Sequence, residues 1–175
     1  MLWVPLAAVG LAIVAVVIGV LASGGSSTIR FPRTIEGRQR MSVSAFQDVA
    51  EGLEEAVPFG SLPPAVAFYG TGERPSFAVL AYVDAPTAEE YGTFWENMSG
   101  RLKESGQGSM RVDSLTRAVY GSTTYECAPY IIGSLGTGSL CAWNDGQTLG
   151  LVEAFDPSLP TGLLLTWEVR EAVTG

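Results

Sequence analysis

The sequence predicts an α+β protein: an N-terminal transmembrane helix, then one domain with a five- or six-stranded, largely antiparallel sheet and two to three helices on one face. Three observations predict it: residues 1–22 carry no charged side chain, strand-like segments follow one another across tight turns, and amphipathic segments lie between them. About 20 apolar residues, each rising about 1.5 Å, span a hydrocarbon core. The chain therefore divides into an anchor at 1–22, a Ser/Gly-rich and basic tether at 23–40, and the domain at 41–175.

The anchor is predicted to stay uncleaved. A secretory signal peptide has a basic n-region, an apolar core of about 7–15 residues and a small-residue cleavage site. Here no basic residue precedes the apolar run, and the run is longer than such a core. Val20 and Ala22 do precede a possible cleavage position at Ser23, so a cleaved signal peptide is the first alternative, followed by a hydrophobic hairpin or a misread start.

Two observations disagree about the side of the membrane. Four arginines lie between residues 30 and 40 and no Lys or Arg precedes the anchor, which by the positive-inside rule places the domain in the cytoplasm. The two cysteines favour the outside of the membrane, because the disulfide predicted below persists in an oxidising compartment. We expect a single-pass plasma membrane protein with an extracytoplasmic domain.

The two cysteines, Cys127 and Cys141, each lie in a segment typical of a strand, with a Gly-rich connection between them. Closing a loop of about 15 residues stabilises a fold by roughly 3 kcal/mol, and such a bond persists in an oxidising compartment. We therefore predict a disulfide, with two buried free thiols as the alternative. A redox-active pair is disfavoured because C-x-x-C spacing is absent.

Three helices are predicted. Capping boxes open the first two, at Ser44 and at Thr87, and the helices cover 44–56 and 87–104. The second carries an apolar stripe at helical spacing: Tyr91, Phe94, Trp95, Met98 and Leu102. The third covers about 160–173 and has an apolar side made of Leu164, Leu165, Val169 and Val173.

Three hairpins supply the predicted strands. They pair 65–70 with 75–83, 115–120 with 123–128 across Gly121-Ser122, and 139–143 with 148–155 around Asn144-Asp145-Gly146. Successive hairpins make antiparallel sheet, and helices between them cover it.

Charge excludes one class of partner. Residues 41–175 contain 17 acidic and 6 basic residues, a net charge of −11. Such a surface repels phosphate backbones, so no nucleic acid partner is expected. The arginines at 30–40 are the one basic stretch; they either meet lipid phosphates or form a solvated linker.

The sequence offers little catalytic chemistry. It contains no histidine, which excludes Ser-His-Asp and Cys-His catalysis within one chain. Paired carboxylates remain, with Asp145, Glu153, Asp156 and Glu126 as candidates for a hydrolase using two acids, but Asp-Gly at a hairpin tip is typical of a turn. The run 133–138 lacks the order of a phosphate-binding loop. We predict no catalytic residue, no metal site and no cofactor.

Exposed loop tips are where a binding domain would recognise a partner. We single out Tyr130, Ile131 and Ile132, because a loop between paired cysteines seldom needs three apolar residues, together with Asn144 and Asp145 at a hairpin tip. The three apolar residues either fill the core or contact a partner.

The chain resembles a loose group of uncharacterised actinobacterial envelope proteins that have one N-terminal membrane helix, a short tether and a small α+β domain. The resemblance covers most of residues 30–156 and rests on short motifs: Phe31-Pro32-Arg33-Thr34-Ile35-Glu36-Gly37, Phe68-Tyr69-Gly70, and Cys127 with Cys141-Ala142-Trp143-Asn144-Asp145-Gly146. It implies an extracytoplasmic, disulfide-containing domain and no activity.

These observations together predict a membrane-tethered, non-enzymatic accessory or interaction subunit of an envelope or membrane protein complex, with a protein partner. The alternative is an extracytoplasmic module that binds a small molecule or an envelope polymer on the sheet face opposite the helices. The sequence does not identify the partner or the ligand, nor the oligomeric state.

Overall fold

A computed structural model of the chain describes residues 29–47, 50–51, 64–104, 109–132, 136–156 and 162–175, without the side chain of Ile132. The strands are β1 (Thr34–Ile35), β2 (Arg38–Arg40), β3 (Ala65–Thr71), β4 (Arg74–Tyr82), β5 (Ser109–Met110), β6 (Thr116–Tyr120), β7 (Thr123–Ile132), β8 (Gly136–Asn144) and β9 (Leu149–Ala154). The α-helices are α1 (Ala88–Gly92), α2 (Phe94–Glu104) and α3 (Gly162–Thr174), and 3₁₀ turns lie at Val43–Phe46 and Val112–Ser114.

The nine strands form one antiparallel sheet in the order β1-β2-β3-β4-β9-β8-β7-β5, and β6 pairs with β7 beside β5. The predicted α+β class and antiparallel sheet are confirmed. The predicted strand number is too low: the six predicted strands are the longer ones, and β1, β2 and β5 are additional. These three have only two or three residues, too few to show the alternation that predicts a strand.

Helices lie on both faces of the sheet, so the prediction of helices on one face is wrong. On one face Leu165 and Val169 of α3 pack with Val79 of β4. On the other face Phe94 of α2 packs with Leu80, the next residue along β4. Consecutive strand residues point to opposite faces, and strands buried on both faces have continuous apolar runs, as residues 77–82 of β4 and 149–152 of β9 do.

The second predicted helix begins where expected but is divided. Thr87 Oγ1 accepts a hydrogen bond from the Glu90 N–H at 3.3 Å, and the Glu90 carboxylate accepts one from the Thr87 N–H at 2.8 Å. The hydrogen bond from the Thr87 N–H, and then one of 2.8 Å from the Thr87 hydroxyl, stabilise the Glu90 carboxylate and lower its pKa. Thr93 then ends α1 with a φ of −101° and a ψ of −1°, and α2 follows directly.

The first and third predicted helices agree with the structure only in part. Residues Val43–Phe46 form a 3₁₀ turn with Ser42 at its N-cap and no side-chain cap bond, so the capping box at Ser44 does not form. Most of the rest of the predicted helix 44–56 lies outside the described residues. The third helix is confirmed as α3, but Leu164 is exposed and the buried side consists of Leu165, Thr166, Val169 and Val173.

The predicted anchor at 1–22 lies outside the described residues, as do residues 23–28 of the tether. Within the part of the chain that the structure describes, no helix is long and apolar enough to cross a membrane.

Candidate functional site

The outer edge of β6 is an open edge of the sheet. Within the described chain, β6 pairs only with β7, and all five of its residues are exposed. The neighbouring strand β5 pairs only with Tyr130 and Ile131 of β7, so it leaves the outer edge of β6 uncovered. An unpaired edge of this kind is a template for a further extended chain.

The β6–β7 turn determines which backbone groups face outward. Gly121 and Ser122 form the predicted two-residue hairpin loop, and Gly121 has the φ of +60° that a type II′ turn requires at its first central position. The residues that flank such a turn bond to each other, so Tyr120 and every second residue before it bond inward to β7. The N–H and C=O groups of Arg117 and Val119 therefore point to the open edge.

Large apolar side chains accompany these free backbone groups. The exposed fraction is 66% for Val119 and 74% for Tyr120, and because the two are consecutive they lie on opposite faces of β6. Ile131 is 45% exposed but lies seven residues along β7 from Thr124, the partner of Val119, so it is separate from this pair. Val119 and Tyr120 therefore place exposed apolar area on both sides of the open edge, which favours an interaction surface there.

A buried carboxylate connects the edge strand to helix α2. Glu126 lies directly opposite Arg117, whose Nε is 3.2 Å from Glu126 Oε1, and it accepts a hydrogen bond of 2.7 Å from Trp95 Nε1. Burial, and then the negative charge of Glu126, raise the pKa of Tyr91, whose hydroxyl itself makes no hydrogen bond with the described residues. This network holds β6 against the helical layer. Sequence patterns do not predict it, because Trp95 and Glu126 are 31 residues apart in the chain.

Of the predicted contact residues in the Cys127–Cys141 segment, Tyr130 fills the core and Ile131 reaches the surface. The Tyr130 ring is buried in the cluster under α2, so it offers a partner no surface. The Ile132 side chain lies outside the described residues. A contact through Ile131 stays a prediction.

Asn144 and Asp145 support the β8–β9 turn. Asn144 Oδ1 accepts a hydrogen bond of 2.9 Å from the Gly146 N–H. Asp145 Oδ1 accepts one of 2.7 Å from the Thr148 N–H, and its Oδ2 is 3.2 Å from Arg170 Nη2 of α3. The Asp145 side chain is 11% exposed, so its carboxylate is largely engaged within the fold, and a role for this tip in partner binding stays a prediction.

The four candidate carboxylates occupy separate environments. Asp145 and Asp156 lie beyond opposite ends of β9, whose six residues extend about 20 Å, and glycosidases need about 5–10 Å between carboxyls. Asp156 pairs with Arg38 at 3.3 Å, and Glu126 belongs to the Trp95 network. Glu153 is buried, which raises its pKa to about 8, and its Oε2 has no hydrogen-bond partner among the described residues.

The predicted disulfide between Cys127 and Cys141 is confirmed. The two residues are directly opposite on β7 and β8, with their Cα atoms 4.0 Å apart. Gly162, the first residue of α3, lies over the bond: a Cβ there would be 2.5 Å from Cys141 Sγ. The disulfide therefore joins β8 to β7, the strand that pairs with β6. The bond itself lies under the start of α3.

Other candidate sites receive less support. The ligand-binding alternative places the ligand on the sheet face opposite the helices. Because helices cover both faces, that face is not open. A cleft of about 460 Å³ lies instead at the opposite edge, between the β1–β2 and β3–β4 turns, beside Arg40. In the described ranges, no group of three or more His, Cys, Asp or Glu could hold a metal ion.

Comparison with protein-family models, curated proteins and solved structures finds no significant match. The resemblance to actinobacterial envelope proteins therefore rests on its short motifs alone and stays a prediction. Fold and site define the class: a disulfide-containing antiparallel α+β domain with one long open strand edge.

Proposed function

We propose that this chain is a membrane-tethered, non-enzymatic accessory subunit whose domain binds a protein partner by strand addition at β6. The observation that carries the proposal is the open edge of β6, where the backbone groups of Arg117 and Val119 point outward between exposed side chains. In strand addition, main-chain hydrogen bonds supply affinity and alternate side chains supply specificity.

β6 differs from the other edge strands in length and protection. β1 and β5 have two residues each, and short edge strands limit unwanted pairing. β6 has five residues and contains neither Pro nor Lys, the usual protective residues of an edge. Its one charge, on Arg117, is paired with Glu126. The edge thus keeps the features that favour pairing with another chain.

The proposed partner is a different protein with an extended neutral or basic segment. The chain has a net charge of −8, so two copies repel each other, whereas a neutral or basic segment meets no such repulsion. A five-residue strand makes a small interface. The proposed anchor compensates for this, because holding both proteins in one membrane raises their effective concentration.

The test compares two substitutions at one position. Val119→Pro removes the outward N–H, which an edge strand tolerates, while Val119→Ala shortens the side chain and keeps the N–H. The tagged full-length chain, purified after cross-linking from the membranes of its own cells, is expected to carry a stoichiometric partner as the wild type and as Val119→Ala. Val119→Pro is expected to lose that partner at an unchanged melting temperature.

Two results would contradict the proposal. One is recovery of the same partner by Val119→Pro, which would place binding elsewhere. The other is a monomer or a homodimer from all three proteins, which would remove the heterologous partner.

A further inference from the structure

We propose that the β1–β2 edge of the sheet lies against anionic lipid headgroups, with Arg30, Arg33, Arg40 and Arg74 contacting lipid phosphates. The inference rests on the membrane anchor of the proposed function. It adds an orientation: the edge that carries these four arginines, here called the arginine end, faces the bilayer, and β6 faces away from it.

Hydrogen bonds hold Arg33 and Arg40 together at the β1–β2 edge, and Arg74 lies on the adjacent β3–β4 hairpin. The Arg40 N–H donates to the Arg33 carbonyl at 2.8 Å, and Arg40 Nη1 donates to the Phe31 carbonyl at 2.8 Å. Arg74 closes the β3–β4 hairpin, and β3 is the strand that pairs with β2. All four arginine side chains are exposed, and no carboxylate of a described residue lies within 4 Å of their nitrogens.

The charge of the chain is asymmetric about this end. Five of its ten basic residues lie at 30–40 and at Arg74, together with four carboxylates, Glu36, Glu73, Asp156 and Glu168. The rest of the chain has five basic residues and 14 carboxylates. An anionic surface therefore attracts the arginine end and repels the remainder of the domain.

The tether limits the distance of this end from the bilayer. The predicted anchor ends at Ala22 and the described chain begins at Ile29, a separation of at most about 25 Å even when fully extended. The next residue, Arg30, is fixed to the domain because its N–H donates to the Val173 carbonyl of α3 at 3.0 Å. The first part of the domain to reach the headgroups is thus the part that carries the exposed guanidinium groups without a described carboxylate partner.

A cleft at this end has a suitable size and chemistry for a headgroup. Its volume is about 460 Å³, and its lining includes Arg40, Ser42 and Gly72. The Arg40 guanidinium and the Ser42 hydroxyl are hydrogen-bond donors of the kind that phosphate oxygens accept. Gly72, at a φ of +69°, adds no side chain that would close the cleft.

This orientation separates the two proposed surfaces. Seven strand-to-strand steps lead from β1 through β2, β3, β4, β9, β8 and β7 to β6. At about 4.8 Å for each step, β6 lies about 34 Å along the sheet from the edge that meets the lipid. The sheet then acts as a spacer that presents the partner-binding edge away from the bilayer.

The experiment measures the exposure of each arginine side chain with the full chain in nanodiscs. One set of discs contains phosphatidylcholine alone and the other a 3:1 mixture with phosphatidylglycerol. Labelling by p-hydroxyphenylglyoxal is read by mass spectrometry, with Arg111 as the internal reference. We expect Arg40 and Arg74 to label about fivefold more slowly in the anionic discs, equivalent to about 1 kcal/mol per arginine, and 0.5 M NaCl to abolish the difference.

A matched pair of variants tests the cause. Arg40→Glu is expected to restore the labelling of Arg74 in anionic discs, whereas Lys103→Glu on α2, with the same change in charge, is expected to leave it slow. Equal labelling in both kinds of disc, or equal effects of the two variants, would overturn the inference. Elution of the chain separately from the discs would also overturn the inference, because it would show that the chain is not anchored in the bilayer. The Val119 variants test partner binding in a separate experiment. Failure of the proposed partner binding is therefore distinguishable from failure of the lipid contact.

Discussion

The indole ring of Trp143 lies across Gly150, the residue directly opposite it on β9. A Cβ at position 150 would overlap the Cη2 and Cζ2 atoms of that ring. Trp143 is fully buried and packs in the same cluster as Leu165 and Val169 of α3. The missing side chain at Gly150 is therefore what allows the largest core residue to lie flat between the sheet and the helix.

Gly150→Ala is expected to destabilise the fold. The ring has to move within a packed core, and such overpacking costs about 1–3 kcal/mol. Urea unfolding measures the loss. The matched control is Gly100→Ala on the exposed side of α2, where a Cβ meets nothing within 4 Å and the change is expected to stabilise by about 0.5–1 kcal/mol. Equal stabilities for the two variants would contradict this account of Trp143.

The Glu126 network gives a second prediction. Glu126→Leu leaves the buried Trp95 Nε1 without its acceptor and is expected to lower the free energy of unfolding by about 1–3 kcal/mol. Glu126→Gln keeps an oxygen that accepts this bond, so its loss should be smaller. Arg117→Met removes only a pair whose arginine is 60% exposed and is expected to cost at most about 1 kcal/mol.

Urea unfolding of the three variants decides between two roles for Glu126. If Glu126→Gln and Glu126→Leu are equally destabilised, the ion pair with Arg117 rather than the hydrogen bond to Trp95 stabilises this edge. Unchanged stability in all three variants would contradict a stabilising role of the Glu126 network at β6.

Features that depend on neighbouring residues could be predicted from the sequence. The capping box needs only Thr87 and Glu90, and the turn at Gly121 needs only a glycine at the right position between two strands. The disulfide followed from two cysteines in strands that a short connection brings together. The two-sided cover of the sheet depends on where α3 packs after β9, which involves residues far apart in the chain.

The candidate site depends on the order of strands and was not predicted for that reason. β6 is an edge because β4 pairs with β9, a contact between distant segments that closes the centre of the sheet. Nothing in the composition of residues 116–120 distinguishes an edge strand from an interior one. Tyr130 is the opposite case: its run of apolar residues is compatible with a contact patch, but the ring packs in the cluster under α2 and is buried.

Glu153 predicts a pH dependence of stability. Burial raises its pKa in the folded protein to about 8, from an ordinary value of 4.5. Between these values the unfolded chain releases this proton while the folded chain keeps it, so the unfolding free energy falls as the pH rises. This group contributes at most about 1.4 kcal/mol per pH unit, and its contribution to the slope ends above about pH 8.

Urea unfolding between pH 5 and pH 9 tests this expectation. Glu153→Gln is expected to remove the contribution and to be more stable than the wild type at pH 9. The control Glu104→Gln, at an exposed position on α2, should keep the wild-type slope. Parallel pH profiles for the wild type and Glu153→Gln would contradict a buried, protonated carboxyl at this position.

The disulfide predicts how the domain responds to reduction. Cys127 and Cys141 are 14 residues apart, and a loop of that length contributes about 3 kcal/mol in the chain-entropy model. The double variant Cys127→Ala, Cys141→Ala is expected to lose stability by about that amount. Adding a reductant should lower the melting temperature of the wild type and leave that of the variant unchanged. Equal responses would show that the bond does not form in the purified protein.

The same bond reports the side of the membrane that the domain occupies. If the domain is extracytoplasmic, a membrane-impermeant thiol reagent applied to intact cells labels Cys127 and Cys141 only after an impermeant reductant. Cys127 should react first, because it is 8% exposed and Cys141 is 1% exposed. Mass spectrometry distinguishes the two sites. Labelling that needs lysis but no reduction would place free thiols in the cytoplasm, where disulfides are rare. It would agree with the arginines that follow the anchor and would contradict the extracytoplasmic placement.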